Sequence, residues 1–159
     1  MRTLRNQGFT LIEILIVVII LGILAAIVIP QFTEASSEAR ESQLVSNLQT
    51  LRSQIGLYKV QHNDQYPDAT STATFEACMT QKTLIDGTRD TAGEYGPYMQ
   101  AVPKNPFITD PDNTPLFRLD GDSTPAGAGT AQWCFDPTTG NIWADDTLRT
   151  PDNTPHSSL

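Results

Sequence analysis

Positive charge is scarce in this chain, and residues 6–39 carry none. Ten Lys and Arg stand against eighteen Asp and Glu, a net charge of −8 over 159 residues. Such an acidic surface repels phosphate backbones, so no nucleic-acid partner is expected. Histidine and cysteine are rare too, two of each, and they do not fall into a metal-ligand spacing. There is no Gly-x-Ser-x-Gly elbow, phosphate-binding glycine loop or comparable nucleophile–base pattern, so the chain is not expected to be an enzyme. Charge of either sign is missing from Ile14 to Pro30. With 18% charged residues and a mean hydropathy of −0.24, the whole is neither a polytopic membrane protein nor a disordered chain. Its apolar content is gathered at one end.

Residues 1–8 are polar and carry Arg2 and Arg5; without these two positive charges the net charge of −8 becomes −10. Residues 9–29 form a stretch of 21, almost all apolar. As a helix at 1.5 Å per residue that is about 32 Å, a match for a hydrocarbon core about 30 Å thick. The arginines ahead of it place the N-terminus in the cytoplasm and the rest beyond Pro30 outside. A secretory signal would be cut after small residues, and Leu24-Ala25-Ala26-Ile27 is a poor version of that pattern. A plain signal anchor explains the length and the orientation but leaves Glu13 over. A lone acid at the centre of a spanning helix costs about 2.5–3.5 kcal/mol, so Glu13 needs a partner; a simple snorkelling acid near the interface is the competing reading. Gly22 and Pro30 weaken the helix, since Pro30 cannot donate to the Ala26 carbonyl, and a kink is expected there.

Gly8-Phe9-Thr10-Leu11-Ile12-Glu13-Ile14, followed by Leu21-Gly22-Ile23-Leu24-Ala25-Ala26-Ile27-Val28-Ile29-Pro30, resembles the N-terminus of type IV pilins and type II secretion pseudopilins. The resemblance covers residues 1–33. It implies that a prepilin peptidase cleaves between Gly8 and Phe9, that the Phe9 amine is N-methylated, and that the apolar segment is retained. It further implies that Glu13 of one subunit pairs with the Phe9 amine of a neighbour and so sets the assembly register. Local melting between Gly22 and Pro30 during assembly is also implied. A glycine at position 8 lets a peptidase approach the backbone closely, which fits the cut.

Beyond Pro30 the helical pattern continues. Leu44, Leu48, Leu51, Ile55 and Tyr58 step by four and three along one face, with polar residues elsewhere. The spacing predicts a helix from residue 9 to about 61, some 80 Å if unbroken, with the stripe as core. Gly56 within it suggests close approach of a strand, and the helix should stop at His62-Asn63-Asp64, before Tyr66-Pro67. Tyr66-Pro67 resembles the helix end of the major pseudopilin. Residues 68–96 read as a variable loop carrying Cys78, with a short helix around 75–84. Pro103-Lys104-Asn105-Pro106-Phe107 resembles a further pseudopilin segment. Ala131 to Phe135 reads as a strand, residues 136–141 as a turn, and Ile142-Trp143-Ala144 as its return. Trp133 and Trp143 are expected in the core or on a sheet face. Residues 147–159 are expected to be a mobile tail.

Cys78 and Cys134, outside a C-x-x-C motif in an exported chain, are expected to form a disulfide. It would close a loop of 57 residues and constrain the unfolded chain by roughly 4 kcal/mol. Asp110, Asp112, Asp120 and Asp122 are candidate calcium ligands. An EF-hand is excluded, because Pro115 and Gly121 stand where its glycine and glutamate belong.

The expected fold is α+β: a long N-terminal helix packed on a small antiparallel sheet. The domains are a leader at 1–8, a membrane and filament-core helix at 9–30, and a periplasmic domain at 31–159. In the last, the helix takes 31–62 and the β region 97–146. The expected role is a structural subunit of a type II secretion pseudopilus in the bacterial inner membrane. Its implied partners are its own copies, the prepilin peptidase, the assembly platform and minor pseudopilins; no cofactor beyond calcium is expected. A type IV pilin of a surface pilus and a non-polymerising, signal-anchored periplasmic domain stay open as alternatives.

Overall fold

The computed structural model describes residues 9–67, 72–109, 114, 116–119, 129 and 131–159. A helix, α1, spans Leu11–Gln61 and contains Pro30. The chain divides into two units, 1–39 and 40–159.

In the first unit every described residue is exposed. The turns after Pro30 hold hydroxyls that bond back to the helix: Thr33 Oγ1 donates to the Ile29 carbonyl at 3.1 Å and Ser37 Oγ to that of Thr33 at 3.2 Å.

The second unit carries the core. Leu44, Leu48, Leu51, Ile55 and Tyr58 are all at most 2% exposed, so the predicted stripe is the buried face of α1. Burying each such side chain stabilises the fold by about 1.5–3 kcal/mol. One turn further on, His62 extends the stripe. It is fully buried, stacked on Tyr58 at 3.8 Å between ring centroids, and bonded to the Tyr58 carbonyl and to Thr83 Oγ1. The helix ends where expected: Asn63 and Asp64 take positive φ angles of 52° and 62°. The Asp64 amide donates back to the Lys59 carbonyl at 3.0 Å, which closes the last turn. Gly56 is no point of close approach, because a methyl group there would meet nothing within 4 Å.

A second helix, α2, spans Thr72–Thr80, somewhat earlier than the sequence suggests. Its Phe75 packs against Phe117 and Phe135 at 4.3 and 4.5 Å. Among the described residues three short strands follow: β1 Phe117–Leu119, β2 Trp133–Phe135 and β3 Ile142–Ala144. They lie in the order β1-β2-β3. The predicted hairpin is present, β2 pairing antiparallel with β3. The sheet as a whole is mixed and not antiparallel, because β1 runs parallel to β2 with Phe117 opposite Trp133.

The expected disulfide is absent: Cys78 and Cys134 are both buried and are not bonded to one another. The pleat of β2 explains this. Trp133 and Phe135 face the cluster that also holds Cys78, Leu48 and Phe117. Cys134, between them, points to the opposite face, in register with Arg118 and Trp143, and accepts a hydrogen bond from Arg118 at 3.4 Å.

The C-terminal residues are held in place. Arg149 bridges to Pro155, residues His156–Ser158 form a 3-10 turn, and Leu159 packs on the core. The expectation of a mobile tail fails because His156 is drawn fully into the interior by Asp146, with Nδ1 2.7 Å from Oδ1.

Candidate functional site

Of the residues singled out for processing and assembly, Phe9 stands just ahead of α1 and Glu13 lies in its first turn. Phe9 is 84% exposed. Glu13, read from sequence as an acid in search of a partner, has one within its own chain. Its Oε2 accepts from the Thr10 amide at 2.8 Å and from Thr10 Oγ1 at 2.7 Å, while the Glu13 amide donates to Thr10 Oγ1 at 3.3 Å. Thr10 is thus the N-cap and Glu13 the third helical residue of a capping box, which satisfies helix-end donors reciprocally. The Thr-x-x-Glu spacing was present in the sequence, and Thr10 is the site residue that reasoning from membrane cost alone passes over. The pair is exposed, so an incoming cation can reach the carboxylate.

Behind this cap lies an apolar surface that the described residues of its own unit leave exposed. From Ile12 to Ile29 the large apolar side chains are between 41% and 64% exposed. The 18-residue window of highest hydropathy averages 3.3 and is wholly unburied. By length and composition this helix can cross a membrane.

In the second unit the two proline-bearing segments have defined tasks. Tyr66, before Pro67, places its ring against Gly140 in the β2–β3 turn; a Cβ there would collide with the ring. Gly140 has φ +75°, the left-handed region that favours glycine. Lys59 Nζ donates to Tyr66 Oη at 3.0 Å, tying the helix end to that turn.

The segment from Pro103 to Phe107 joins the helix to the sheet. Trp133 Nε1 donates to the Pro103 carbonyl at 2.8 Å and Asn47 Nδ2 to the Lys104 carbonyl at 3.2 Å. Asn105 is 2% exposed and sits at a branch point. Its amide donates to Gln132 Oε1; its Nδ2 donates to the Gln132 carbonyl at 3.1 Å and to Asp146 Oδ2 at 2.9 Å; its Oδ1 accepts from the Phe107 amide at 2.9 Å. Asp146 in turn holds His156, whose ring lies 4.5 Å from that of Phe107. Nothing in local sequence periodicity announces this network, since its members are up to 51 residues apart (Asn105 to His156).

Gly8 and the calcium candidates Asp110, Asp112, Asp120 and Asp122 lie outside the described residues. Among the described residues no group of three His, Cys, Asp or Glu is placed to hold a metal ion.

Comparison with known proteins gives three kinds of result. The family described as the prokaryotic N-terminal methylation motif matches residues 3–29. Type II secretion system core protein G of Pectobacterium carotovorum subsp. carotovorum is 32% identical over 106 residues, 67% of this chain and 65% of that protein. The protein of the same name from Vibrio cholerae serotype O1 is 31% identical over 139 residues, 82% of this chain and 91% of its own length. Type IV major pilin protein PilA of Myxococcus xanthus is 53% identical over 47 residues, which cover 30% of this chain and 21% of the pilin. No solved structure matches.

Proposed function

We propose, because this chain belongs to the family of type II secretion system core protein G, that it is a pseudopilin subunit stored in the inner membrane and polymerised into a secretion pseudopilus. A peptidase cut between Gly8 and Phe9 removes Arg2 and Arg5 and creates an amine at Phe9, which is then methylated. The observation that carries this reading is the uncovered apolar helix behind the Thr10–Glu13 cap. Lipid covers it in the stored subunit, and in a filament the same surface is covered by the helices of neighbouring copies.

Glu13 works as a register device. In the stored subunit Thr10 holds its carboxylate, which lowers the cost of an acid at the membrane boundary. In the filament the Phe9 amine of a neighbour offers a charged partner, and a subunit out of register leaves the acid unpaired. Gly22 and Pro30 mark the stretch where α1 can loosen as subunits pack, since Pro30 removes one backbone bond. The contact is head-to-tail and does not close, so it propagates.

The intact mass and N-terminus of the chain from native membranes test this reading. A chain beginning at Phe9 with one added methyl group is expected, and Glu13→Ala should block polymerisation without blocking cleavage. A chain that keeps Met1, or is cut beyond Ala26, would overturn it.

A further inference from the structure

Lysine and arginine are few in the second unit, yet two of them line one cleft. Arg40 and Lys104, both exposed, flank a cavity of about 560 Å³ lined also by Gln43, Pro106, Phe107 and Ile108. Its walls are well fixed. Asn47 holds the Lys104 carbonyl, and the buried Asn105 anchors the next residue to Gln132 and Asp146. On its own helix Arg40 has Ser36 and Ser37 before it and Gln43 and Leu44 after it at pairing distance, so α1 offers it no acid at i±3 or i±4. A rigid cleft edged by two cations fits a partner that presents carboxylates on an equally rigid segment.

The same chain carries such a segment. Glu34 and Glu38 are four residues apart on α1, hence on one helical face, both exposed, and they are the only charged residues between 14 and 39. We propose that the Arg40–Lys104 cleft of one copy receives the Glu34–Glu38 face of a second copy, displaced along the helix axis. This rests on the pseudopilin reading and adds to it a specific contact between soluble domains and neighbouring helices. Glu38 and Glu34 precede Arg40 by two and six residues, so the neighbour must be shifted outward by about 3–9 Å. The shift that sets a neighbour's Phe9 amine beside Glu13 is four residues, about 6 Å in the same direction. The two shifts run in the same direction and overlap in size, so the two charge pairs do not oppose one another. Because the cleft and the acidic face lie on different parts of the surface, the contact is heterologous and repeats indefinitely.

The test uses full-length protein in its native host, with sheared filaments per cell as the readout and N-terminal sequencing as a control. Arg40→Glu and Glu38→Arg should each reduce filament yield about tenfold or more, since like charges then face each other across the contact. Processing at Phe9 should be unchanged. The double variant Arg40→Glu/Glu38→Arg should recover most of the yield. In a second experiment, Arg40→Cys combined with Glu38→Cys should give cross-linked ladders in filaments. Residues two apart on a helix do not face each other, so this link cannot close within one chain, and the native Cys78 and Cys134 are at most 1% exposed. Single reversals that assemble like wild type overturn the proposal while leaving the pseudopilin reading intact. So does a double variant that fails to recover, which assigns the cleft to another partner such as an assembly-platform protein or an anionic lipid. A wild-type chain that is processed yet never polymerises overturns both.

Discussion

Replacing Asn105 with alanine removes three hydrogen bonds from the interior in one step. The Gln132 carbonyl loses a donor at 3.1 Å, Asp146 Oδ2 one at 2.9 Å, and the Phe107 amide an acceptor at 2.9 Å. Each such bond contributes about 1 kcal/mol net, and a buried group deprived of its partner costs about 1–3 kcal/mol. Bonds that share one side chain are not additive, so a total loss of about 3–5 kcal/mol is expected. That is a large part of the roughly 5–15 kcal/mol available to an ordinary domain. Asn105→Asp keeps the shape but places an acceptor where Nδ2 donated, facing Asp146 Oδ2 and the Gln132 carbonyl. Two carboxylates then share a buried site, which raises the proton affinity of one of them. A group whose folded pKa is raised stabilises below its unfolded value and loses that contribution as pH rises. The aspartate variant should therefore be the least stable of the three at pH 7, and its gap to alanine should narrow toward pH 4. Urea unfolding of the full chain in detergent micelles measures this. Tryptophan fluorescence is the probe, since the Trp133 indole bonds to Pro103, two residues from the substitution. A loss under about 1 kcal/mol for alanine, or an aspartate variant as stable as wild type at pH 7, would refute the branch-point role.

Gly140→Ala should cost about 1–2 kcal/mol for the left-handed backbone and about 1–3 kcal/mol more for the collision with Tyr66; in a Tyr66→Ala background only the first part should remain, by the same urea assay. Thr10→Ala should remove about 1 kcal/mol of helix capping, seen as faster amide exchange in the first turn of α1, with cleavage unaffected. The Asp136 carboxyl is held below the usual carboxylate range, first by the Thr139 hydroxyl at 2.6 Å and then by the Thr138 and Thr139 amides. A depressed value means its contribution is complete above about pH 4 and vanishes as pH falls further, so Asp136→Asn should flatten the acid limb of the stability–pH curve. Mass spectrometry after alkylation without reductant should show both cysteines labelled in denaturant and neither in the native chain.

Several features could be read from local order alone because they repeat at helical spacing or occupy neighbouring positions. The apolar run to Ile29, the stripe from Leu44 to Tyr58, the stop at Asn63 and the β2–β3 hairpin are of this kind. The Thr10–Glu13 cap belongs with them, being a four-residue pattern. The parallel pairing of β1 was not legible, since three residues at Phe117 carry no information about which neighbour they will meet.

The sequence by itself determined that this chain has a long apolar run, the residues of an N-terminal methylation motif and an amphipathic helix, because such patterns depend on the order of residues along a single segment. Tertiary structure alone decided where the chain's distant polar and sulfur groups lie. Cys78 and Cys134 are separated by the pleat of β2, a fact of sheet register that spacing cannot express. The Asn105–Asp146–His156 network forms because a closed core strands polar groups that must find one another, and it ties down a C-terminus whose composition reads as free. The pairing of Arg40 with Lys104 along one cleft has the same origin: burial of Asn105 places its neighbour beside a helix 64 residues away in the chain.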